Sequence, residues 1–327
     1  MKRENLLTVN IITYNHKRYI GRCIDSILSQ KTTFDFIVRI FDDCSTDGTV
    51  EICNEYAKKY PDKVFFTPLK EHIGITKNCL RSYEDITTPY YLYIEGDDYR
   101  VNKYGFQMQI EALEKYPECD LCAASTVLDG DGYEDNYYQY DISKGVVYSK
   151  DYIIAHPETY FFSNLSTRIV RTECINIDKQ NPVAYLNDIR QLYTLINQGK
   201  VIYYLPFALS AYCVTGTGIS TGQNVFNRTK ELLDILMDIN SQTNKEFELV
   251  LLKYFCTTVQ FYNRLELEKF QKNNISNKLL LPQKGKLKII KKLKHYFLPQ
   301  AIIDLFNLPR NISRQIRTAF RKDKSLL

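Results

Sequence analysis

Apolar runs and amphipathic stretches alternate along the first hundred residues of the chain. Each apolar run is short and rich in β-branched or aromatic residues, which is typical of a buried strand. The four predicted strands lie at 8–12, 36–41, 64–66 and 90–94. Between them apolar residues recur at helical spacing, and these predicted helices lie at 18–30, 49–59 and 76–84. Such alternation predicts an α/β fold with a mostly parallel central sheet flanked by helices.

The pattern beyond residue 100 is less regular, but it predicts further elements of both kinds. The expected helices lie at 102–116, 188–197 and, as a pair, 226–271. The expected strands lie at 120–128, 160–170 and 201–204. Pro282 and Gly285 mark a boundary before a segment rich in Lys and Arg. We therefore expect a globular body followed by a basic tail.

Three carboxylates follow the fourth predicted strand within four residues, at Glu95, Asp97 and Asp98, and Gly96 allows a sharp turn between them. Carboxylates crowded in this way repel each other, and a bound Mg²⁺ or Mn²⁺ would relieve the repulsion because these ions take hard oxygen ligands. The alternative is a solvated acidic turn without a function. Parallel sheets bind ligands at the carboxyl ends of their strands, so the polar loops after strands one, two and four are expected at one edge. This convergence favours a pocket.

Composition narrows the class of protein. With 327 residues, 44% hydrophobic and 25% charged, the chain is typical of a globular protein of about two domains. It contains no glycine-rich dinucleotide motif after the first strand and no P-loop motif, which argues against dehydrogenases and P-loop enzymes. No secretory signal and no apolar stretch of membrane-spanning length is visible, so a reducing cytosol is expected. Cys119 and Cys122 form a lone close pair and are interpreted as buried small hydrophobes.

Charge is distributed unevenly. Residues 284–324 contain twelve Lys or Arg against Asp304 and Asp323, a net charge of +10, so with +5 overall the rest of the chain carries −5. Leu, Ile and Phe recur among these basic residues, which is typical of a segment that lies on an anionic membrane. The alternative is a helix packed on its own domain or in an oligomer. No nucleic-acid partner is expected, because no binding-fold signature accompanies the basic tail.

Four segments in this order resemble family-2 glycosyltransferases, which have the GT-A fold. The segments lie at 9–16, 42–49, 74–78 and 95–99. The last stands in the position of the family's DxD motif, here in an EGDD form that places Glu95 where Asp is commoner. The resemblance covers roughly the first 120 residues and implies a Rossmann-like nucleotide-binding half. It also implies an acceptor-binding half at 121–222, which completes a domain 1–222. The residue pattern adds a helical extension at 223–283 and the tail at 284–327.

The resemblance implies roles residue by residue for a nucleotide-sugar site. Tyr14 would stack on the base and Asp43 would accept a hydrogen bond from its ring N–H. Asp97 is similar to the carboxylate near the ribose and metal, and Asp98 to the main ligand of Mn²⁺ or Mg²⁺. Whether Glu95 reaches the metal stays open. The remaining residues of the implied site shape the loop after the first strand or lie near the diphosphate, and they are Thr13, Asn15, Lys77 and Asn78.

Asp188 has two interpretations. As the first residue of a predicted helix it is a capping or first-turn acid favoured by the helix dipole. The resemblance implies a different role, because inverting members place their catalytic Asp at a helix start at about this distance after the metal motif. The segment 211–220 resembles the family's closing segment, but Cys213 and Thr215 stand where an Arg and a His are common. The resemblance therefore implies no phosphate or metal contact from those two positions.

These implications add up to one expected function. The chain is expected to be an inverting, metal-dependent transferase that moves a sugar, from a UDP-sugar in the first instance, to a hydroxyl of a glycan or lipid-linked acceptor. The expected context is bacterial surface polysaccharide synthesis, in the cytoplasm at the inner face of the membrane. A non-catalytic nucleotide-sugar-binding partner in a membrane glycan-assembly complex is the alternative, motivated by Cys213, Thr215 and Glu95. A nucleotidyltransferase, which would release pyrophosphate, is a more distant one.

Overall fold

The computed structural model describes residues 4–129, 142–156, 163–174, 188–213, 225–252 and 254–255. Its strands are β1 (Asn5–Thr13), β2 (Asp35–Asp42), β3 (Val64–Pro68), β4 (Tyr90–Glu95), β5 (Tyr99–Arg100), β6 (Leu121–Asp129), β7 (Val146–Tyr148), β8 (Ile169–Arg171) and β9 (Ile202–Cys213). Its α-helices are α1 (Ile20–Leu28), α2 (Thr49–Lys59), α3 (Ile75–Ser82), α4 (Gly105–Lys115), α5 (Lys150–Ala155), α6 (Asp188–Asn197) and α7 (Val225–Gln242). The predicted alternation of strands and helices is confirmed over the first 120 residues.

One sheet runs through the described part of the chain, in the order β3-β2-β1-β4-β8-β6-β9-β5, with β7 also paired to β9. The first four strands in this order are mutually parallel. β6 and β9 form a second long parallel pair, whereas each antiparallel pair covers only two or three residues. The expected α/β fold with a mostly parallel central sheet is therefore confirmed.

The sheet is buried because helices cover it. β1 lies at its centre, where Leu7, Val9 and Ile11 are fully buried. They share one core cluster with Ile24 and Ile27 of α1, so the apolar side of that helix packs on the sheet. A second cluster joins Leu192 and Ile196 of α6, Leu121 of β6 and Leu236 of α7. The first helix of the predicted 223–283 extension thus packs in the same core as the sheet.

The predicted strand at 160–170 is wrong for residues 163–168. Residues 165–167 form a 3₁₀ turn, and only Ile169–Arg171 forms a strand. The side chain of Asn164 accepts a hydrogen bond from the backbone N–H of Ser166, which caps the turn and bends the chain away from an extended path. Two short strands, β5 and β7, were not predicted.

Several predictions fall outside the described residues, among them the basic tail at 284–324. The chain divides into two compact units, Met1–Glu266 and Leu267–Leu327, and the predicted domain boundaries stay predictions. No helix in the described ranges is long and apolar enough to cross a membrane. Cys119 and Cys122 are buried free thiols, as expected of small core residues.

Candidate functional site

The loops after β1, β2 and β4 leave the sheet side by side, as predicted. Thr13 at the end of β1 pairs with Asp42 of β2, and Ile12 pairs with Glu95 of β4. The N–H of Asp43 donates to the carbonyl of Thr13 across 3.0 Å, and the N–H of Gly96 donates to the carbonyl of Ile12 across 2.8 Å. Parallel register therefore brings polar loops from three distant parts of the sequence to one edge of the sheet.

Hydrogen bonds join the first two of these loops. The N–H of Asn15 donates to Ser45 Oγ across 2.8 Å, and Asn15 Oδ1 accepts from the N–H of Thr46 across 2.9 Å. Asn15 adopts a left-handed backbone conformation, with φ 55°, which Asn tolerates better than most residues. Asn15 therefore joins the loop after β1 to the loop after β2 through its backbone and its side chain.

Asp43 is buried and holds the loop that precedes α3. Its Oδ1 accepts from the N–H of Ile73 across 2.8 Å, and its Oδ2 accepts from the N–H of Gly74 across 2.9 Å. His72 Nδ1 lies 3.0 Å from the same Oδ2. The ring of His72 also lies against that of Tyr14, with centroids 4.4 Å apart. Tyr14 is 41% exposed, so one side of the loop offers an accessible aromatic ring beside a carboxylate.

Lys77 and Asn78 occupy different surroundings although they are adjacent in α3. Lys77 is exposed. Asn78 is fully buried, where its Nδ2 donates to the carbonyl of Phe41 across 2.9 Å and its Oδ1 accepts from Arg81 across 2.9 Å. These bonds give Asn78 a structural part beneath the end of β2, whereas Lys77 is free to approach a ligand at the surface.

Gly96 is the point at which the β1 loop and the acidic turn meet most closely. A Cβ atom at this position would lie 2.9 Å from Thr13 Oγ1 and 2.9 Å from His16 Nδ1. Real Cβ atoms do not approach side-chain atoms so closely without displacing them. A residue without a side chain is therefore required for His16 to lie over the acidic turn.

Asp97 is buried without a full set of partners. It is 8% exposed, and its Oδ1 has no hydrogen-bond partner in the described structure. Its Oδ2 lies 3.9 Å from His16 Nε2. Burial raises the pKa of Asp97 above the ordinary Asp value, and the nearby His16 opposes that rise. A buried carboxylate oxygen with no donor has the chemistry expected of a cation ligand.

Asp98 is also buried, but both of its oxygens accept hydrogen bonds. Ser166 Oγ donates to Oδ2 across 2.5 Å, and the N–H of Cys213 donates to Oδ1 across 3.2 Å. Each carboxylate oxygen has two lone pairs, so these bonds orient Asp98 without exhausting its capacity to bind an ion. The two acids of the motif thus differ, since one has an unpartnered oxygen and the other is fixed from both sides.

The closing segment enters the site at Cys213, the last residue of β9. Its Sγ accepts a hydrogen bond from Arg22 Nη2 across 2.8 Å, and the Arg22 guanidinium lies 4.0 Å from the centre of the Tyr99 ring. Thr215 and the glycines that follow lie outside the described residues. The guanidinium of Arg22, from α1, therefore lies beside Cys213, the position at which an Arg is common in the family.

Asp188 is the first residue of α6, as predicted, and its side chain lies outside the described residues. Gln191, one turn further along α6, accepts a hydrogen bond from Arg168 Nη1 across 2.8 Å. Arg168 follows the 3₁₀ turn that contains Ser166. Residues 166–168 thus link the two parts of the site: Ser166 bonds to Asp98, and Arg168 bonds to Gln191 in the first turn of α6.

Three residues of the site were missed by the sequence analysis, namely His16, Ser166 and Arg22. His16 belongs to a segment that the resemblance covered, so its position beside the first strand was a usable signal. Ser166 lies in a stretch predicted to be a strand, and Arg22 lies on a helix with no polar motif. No sequence signal points to either of them.

The sequence was compared with those of known proteins, and the matches are to transferases and to uncharacterised proteins. Residues 8–172 match the family described as Glycosyl transferase family 2. An uncharacterised protein of Mycobacterium tuberculosis is 29% identical over 162 residues, which cover 47% of this chain and 46% of the relative. The teichoic acid poly(glycerol phosphate) polymerase of Staphylococcus epidermidis is 34% identical over 94 residues, or 29% of this chain and 13% of that one. The chain thus spans less than half the length of these curated relatives.

Two solved structures share the fold. Residues 1–349 of S. aureus TarS in complex with UDP-GlcNAc give a TM-score of 0.55 at 18% identity, covering 77% of this chain and 73% of that one. The mannosyltransferase PcManGT from Pyrobaculum calidifontis, in complex with GDP-Man and Mn²⁺, gives a TM-score of 0.56 at 13% identity, covering 90% of this chain and 81% of that one. At these identities the likeness confirms the GT-A fold alone.

Proposed function

Because the chain belongs to glycosyl transferase family 2 through the match at residues 8–172, we propose that it transfers a sugar from a nucleotide-sugar to an acceptor hydroxyl. The observation that carries the proposal is the meeting of an exposed ring, a buried carboxylate and an acidic turn at one sheet edge. Tyr14 and Asp43 come from the first two loops, and Asp97 comes from the third. The proposed donor is a UDP-sugar, with the base at Tyr14 and Asp43 and the diphosphate near Lys77 and the acidic turn.

The acidic turn fits a divalent cation. Asp97 Oδ1 is buried and lacks a donor, and hard carboxylate oxygens suit Mg²⁺ and Mn²⁺, which complete their shells with water and substrate phosphates. Asp97 would hold the ion directly, and Asp98, oriented by Ser166 and Cys213, would offer a remaining lone pair. When bound, such an ion stabilises the charge that develops on the leaving diphosphate. The PcManGT complex, which contains Mn²⁺, supports this proposal.

Inversion at the anomeric carbon requires one base on the face of the sugar opposite the leaving nucleotide. We assign that part to Asp188, whose carboxylate would take the proton of the acceptor hydroxyl as its oxygen attacks the anomeric carbon. The link from Asp98 through Ser166 and Arg168 to Gln191 supports this, because it ties the first turn of α6 to the acidic turn. No covalent intermediate is required.

The proposed acceptor is a glycan or lipid-linked glycan of a bacterial surface polymer, at the inner face of the cell membrane. The S. epidermidis relative, whose name describes teichoic acid polymerisation, supports this class. Residues 284–324, with a net charge of +10, would bind anionic lipid headgroups. We expect the full chain to sediment with anionic vesicles and not with zwitterionic ones. High salt should abolish this co-sedimentation, because it screens the attraction between the basic segment and the headgroups.

Thermal stabilisation by nucleotide-sugars tests the proposed function. A ligand that binds only the native state raises the melting temperature, so one donor is expected to do so with Mn²⁺ and to lose most of the effect in EDTA. Release of the free nucleotide from that donor should follow. Binding without release, unchanged by Asp188→Ala, would instead favour a non-catalytic nucleotide-sugar-binding protein.

A further inference from the structure

Three buried side-chain atoms without a hydrogen-bond partner meet beside the acidic turn. They are Thr13 Oγ1, His16 Nδ1 and Asp97 Oδ1. The first two would each lie 2.9 Å from a Cβ atom built on Gly96. The third belongs to Asp97, the next residue in the chain. Buried polar atoms without partners are uncommon in native proteins, and a carboxylate oxygen such as Asp97 Oδ1 is the one of the three that a cation would satisfy.

We propose that His16 binds the same divalent ion as Asp97, through its Nε2 atom, and so determines which metal the site prefers. The proposal rests on the function proposed above and adds a nitrogen ligand from outside the acidic motif.

The separation of the two side chains fits a shared ion. His16 Nε2 and Asp97 Oδ2 lie 3.9 Å apart, which is too long for a hydrogen bond. Metal–nitrogen and metal–oxygen bonds of about 2.0–2.2 Å place two ligands of one ion about 3 Å apart at a right angle and about 4 Å apart when nearly opposite. The observed gap falls within that range.

The backbone holds His16 in this place. Its carbonyl accepts from the N–H of Tyr19 across 2.8 Å and from the N–H of Ile20 across 2.9 Å, at the start of α1. Its ring meets the edge of the Tyr19 ring, with centroids 6.5 Å apart. The backbone of His16 is thereby fixed just before α1, and Gly96 leaves room for the ring beside Asp97.

The remaining acids do not provide a complete cage. No group of three His, Cys, Asp or Glu side chains in the described ranges could hold a metal, and both oxygens of Asp98 already accept hydrogen bonds. The His16 imidazole and the Asp97 carboxylate therefore leave positions for the diphosphate and water, which is the usual arrangement for ions that act on phosphates.

An imidazole ligand has a consequence for metal choice. Mg²⁺ favours all-oxygen shells, whereas first-row transition ions accept nitrogen readily. The site is therefore expected to prefer Mn²⁺ to Mg²⁺ because of His16. Replacing His16 by Asn should weaken Mn²⁺ binding by about tenfold or more and leave Mg²⁺ binding less affected, so the preference shrinks.

Electron spin-echo envelope modulation of bound Mn²⁺ tests this directly, because a coordinated imidazole gives ¹⁴N modulation that oxygen ligands do not. The full chain is measured with Mn²⁺ and UDP, and separately with Mn²⁺ and GDP. We expect ¹⁴N modulation in the wild type, its loss in His16→Asn, and its retention in His156→Asn, a matched change outside the site at the residue that follows α5.

Two negative results are distinguishable. Mn²⁺ bound with nucleotide in the wild type, but without ¹⁴N modulation, overturns the role of His16 and leaves the proposed function standing. No Mn²⁺ bound with either nucleotide overturns both the His16 ligand and the metal dependence. The wild-type spectrum alone decides the first question, so the proposal stays testable even if His16→Asn folds poorly.

Discussion

The hydroxyl of Ser166 donates a hydrogen bond to Oδ2 of Asp98 across 2.5 Å. Both residues are buried, and they lie 68 positions apart in the sequence. The Ser166 carbonyl in turn accepts from Arg100 Nη1 across 3.0 Å, and Arg100 Nη2 donates to Gln109 across 2.7 Å. The orientation of Asp98 therefore depends on a turn that belongs to the later half of the sheet. This couples the acidic turn to the part of the fold proposed to bind the acceptor.

Removing that hydroxyl should impair the site more than the fold. Ser166→Ala leaves a buried carboxylate oxygen without its donor, which costs about 1–3 kcal/mol. We expect lower thermal stability and a fall in nucleotide release on the order of tenfold, as for other groups that orient metal ligands. Both are measured on the purified protein with the donor found by thermal screening.

Thr167→Val is the matched control for Ser166→Ala. Thr167 Oγ1 donates to the carbonyl of Asn164 across 2.8 Å in the same turn but does not contact Asp98. This variant should lose comparable stability and keep its turnover. Equal turnover in the two variants would show that the Ser166 bond serves only to hold the turn.

A methyl group at Gly96 should disrupt the site. The new Cβ in Gly96→Ala would meet Thr13 and His16 at 2.9 Å and push the β1 loop from the acidic turn, so donor-induced thermal stabilisation should be lost. Gly21→Ala is the control, because its Cβ would lie 3.9 Å from the nearest atom and Ala stabilises helix interiors by roughly 0.5–1 kcal/mol. Donor binding that survives in Gly96→Ala would contradict the close approach.

Tyr14 should contribute to nucleotide binding and little to stability. Its ring is 41% exposed and contacts His72. Stacking of a base on an aromatic ring contributes about 1–3 kcal/mol, so Tyr14→Ala should weaken UDP binding by about tenfold or more in calorimetry. Tyr14→Phe keeps the ring and should bind UDP nearly as well as the wild type. Unchanged affinity in Tyr14→Ala would place the base elsewhere.

Asp97 should destabilise the metal-free protein at neutral pH. Burial raises the pKa of Asp97, so the folded state disfavours the charged form, and this cost is present above the raised pKa and absent below the ordinary value of about 3.9. Asp97→Asn should therefore melt at a higher temperature than the wild type in EDTA at pH 7.5. The difference should shrink as pH falls towards about 4. A lower melting temperature for the variant at pH 7.5 would contradict this.

The sequence was informative where local pattern determines structure. The parallel strands and the loops at Thr13, Asp43 and Glu95 follow from short apolar runs and the register that parallel pairing imposes, so the sheet edge was predictable. The surroundings of Asp98 were not, because Ser166 and Cys213 reach it through contacts between distant segments. β5 is two residues long and is defined by its pairing with Ser210 and Ala211 of β9, which no local periodicity reveals.

The basic tail could be proposed from composition, since a local net charge of +10 is visible in the sequence, whereas the boundary at residue 222 rests on the family resemblance. What the tail binds depends on a surface outside the chain, and residue pattern alone does not specify it. The role of Asp188 rests likewise on its place at the start of α6 and on the family resemblance.

The most direct test of the central claim is release of free nucleotide from a nucleotide-sugar in the presence of Mn²⁺ and acceptor, compared between the wild type and Asp188→Asn. We expect turnover by the wild type, loss of at least about a hundredfold in the variant, as for removal of a general base, and unchanged donor stabilisation in both. Turnover by Asp188→Asn at the wild-type rate would contradict the assigned base, and no turnover of any donor by the wild type would contradict the proposed activity.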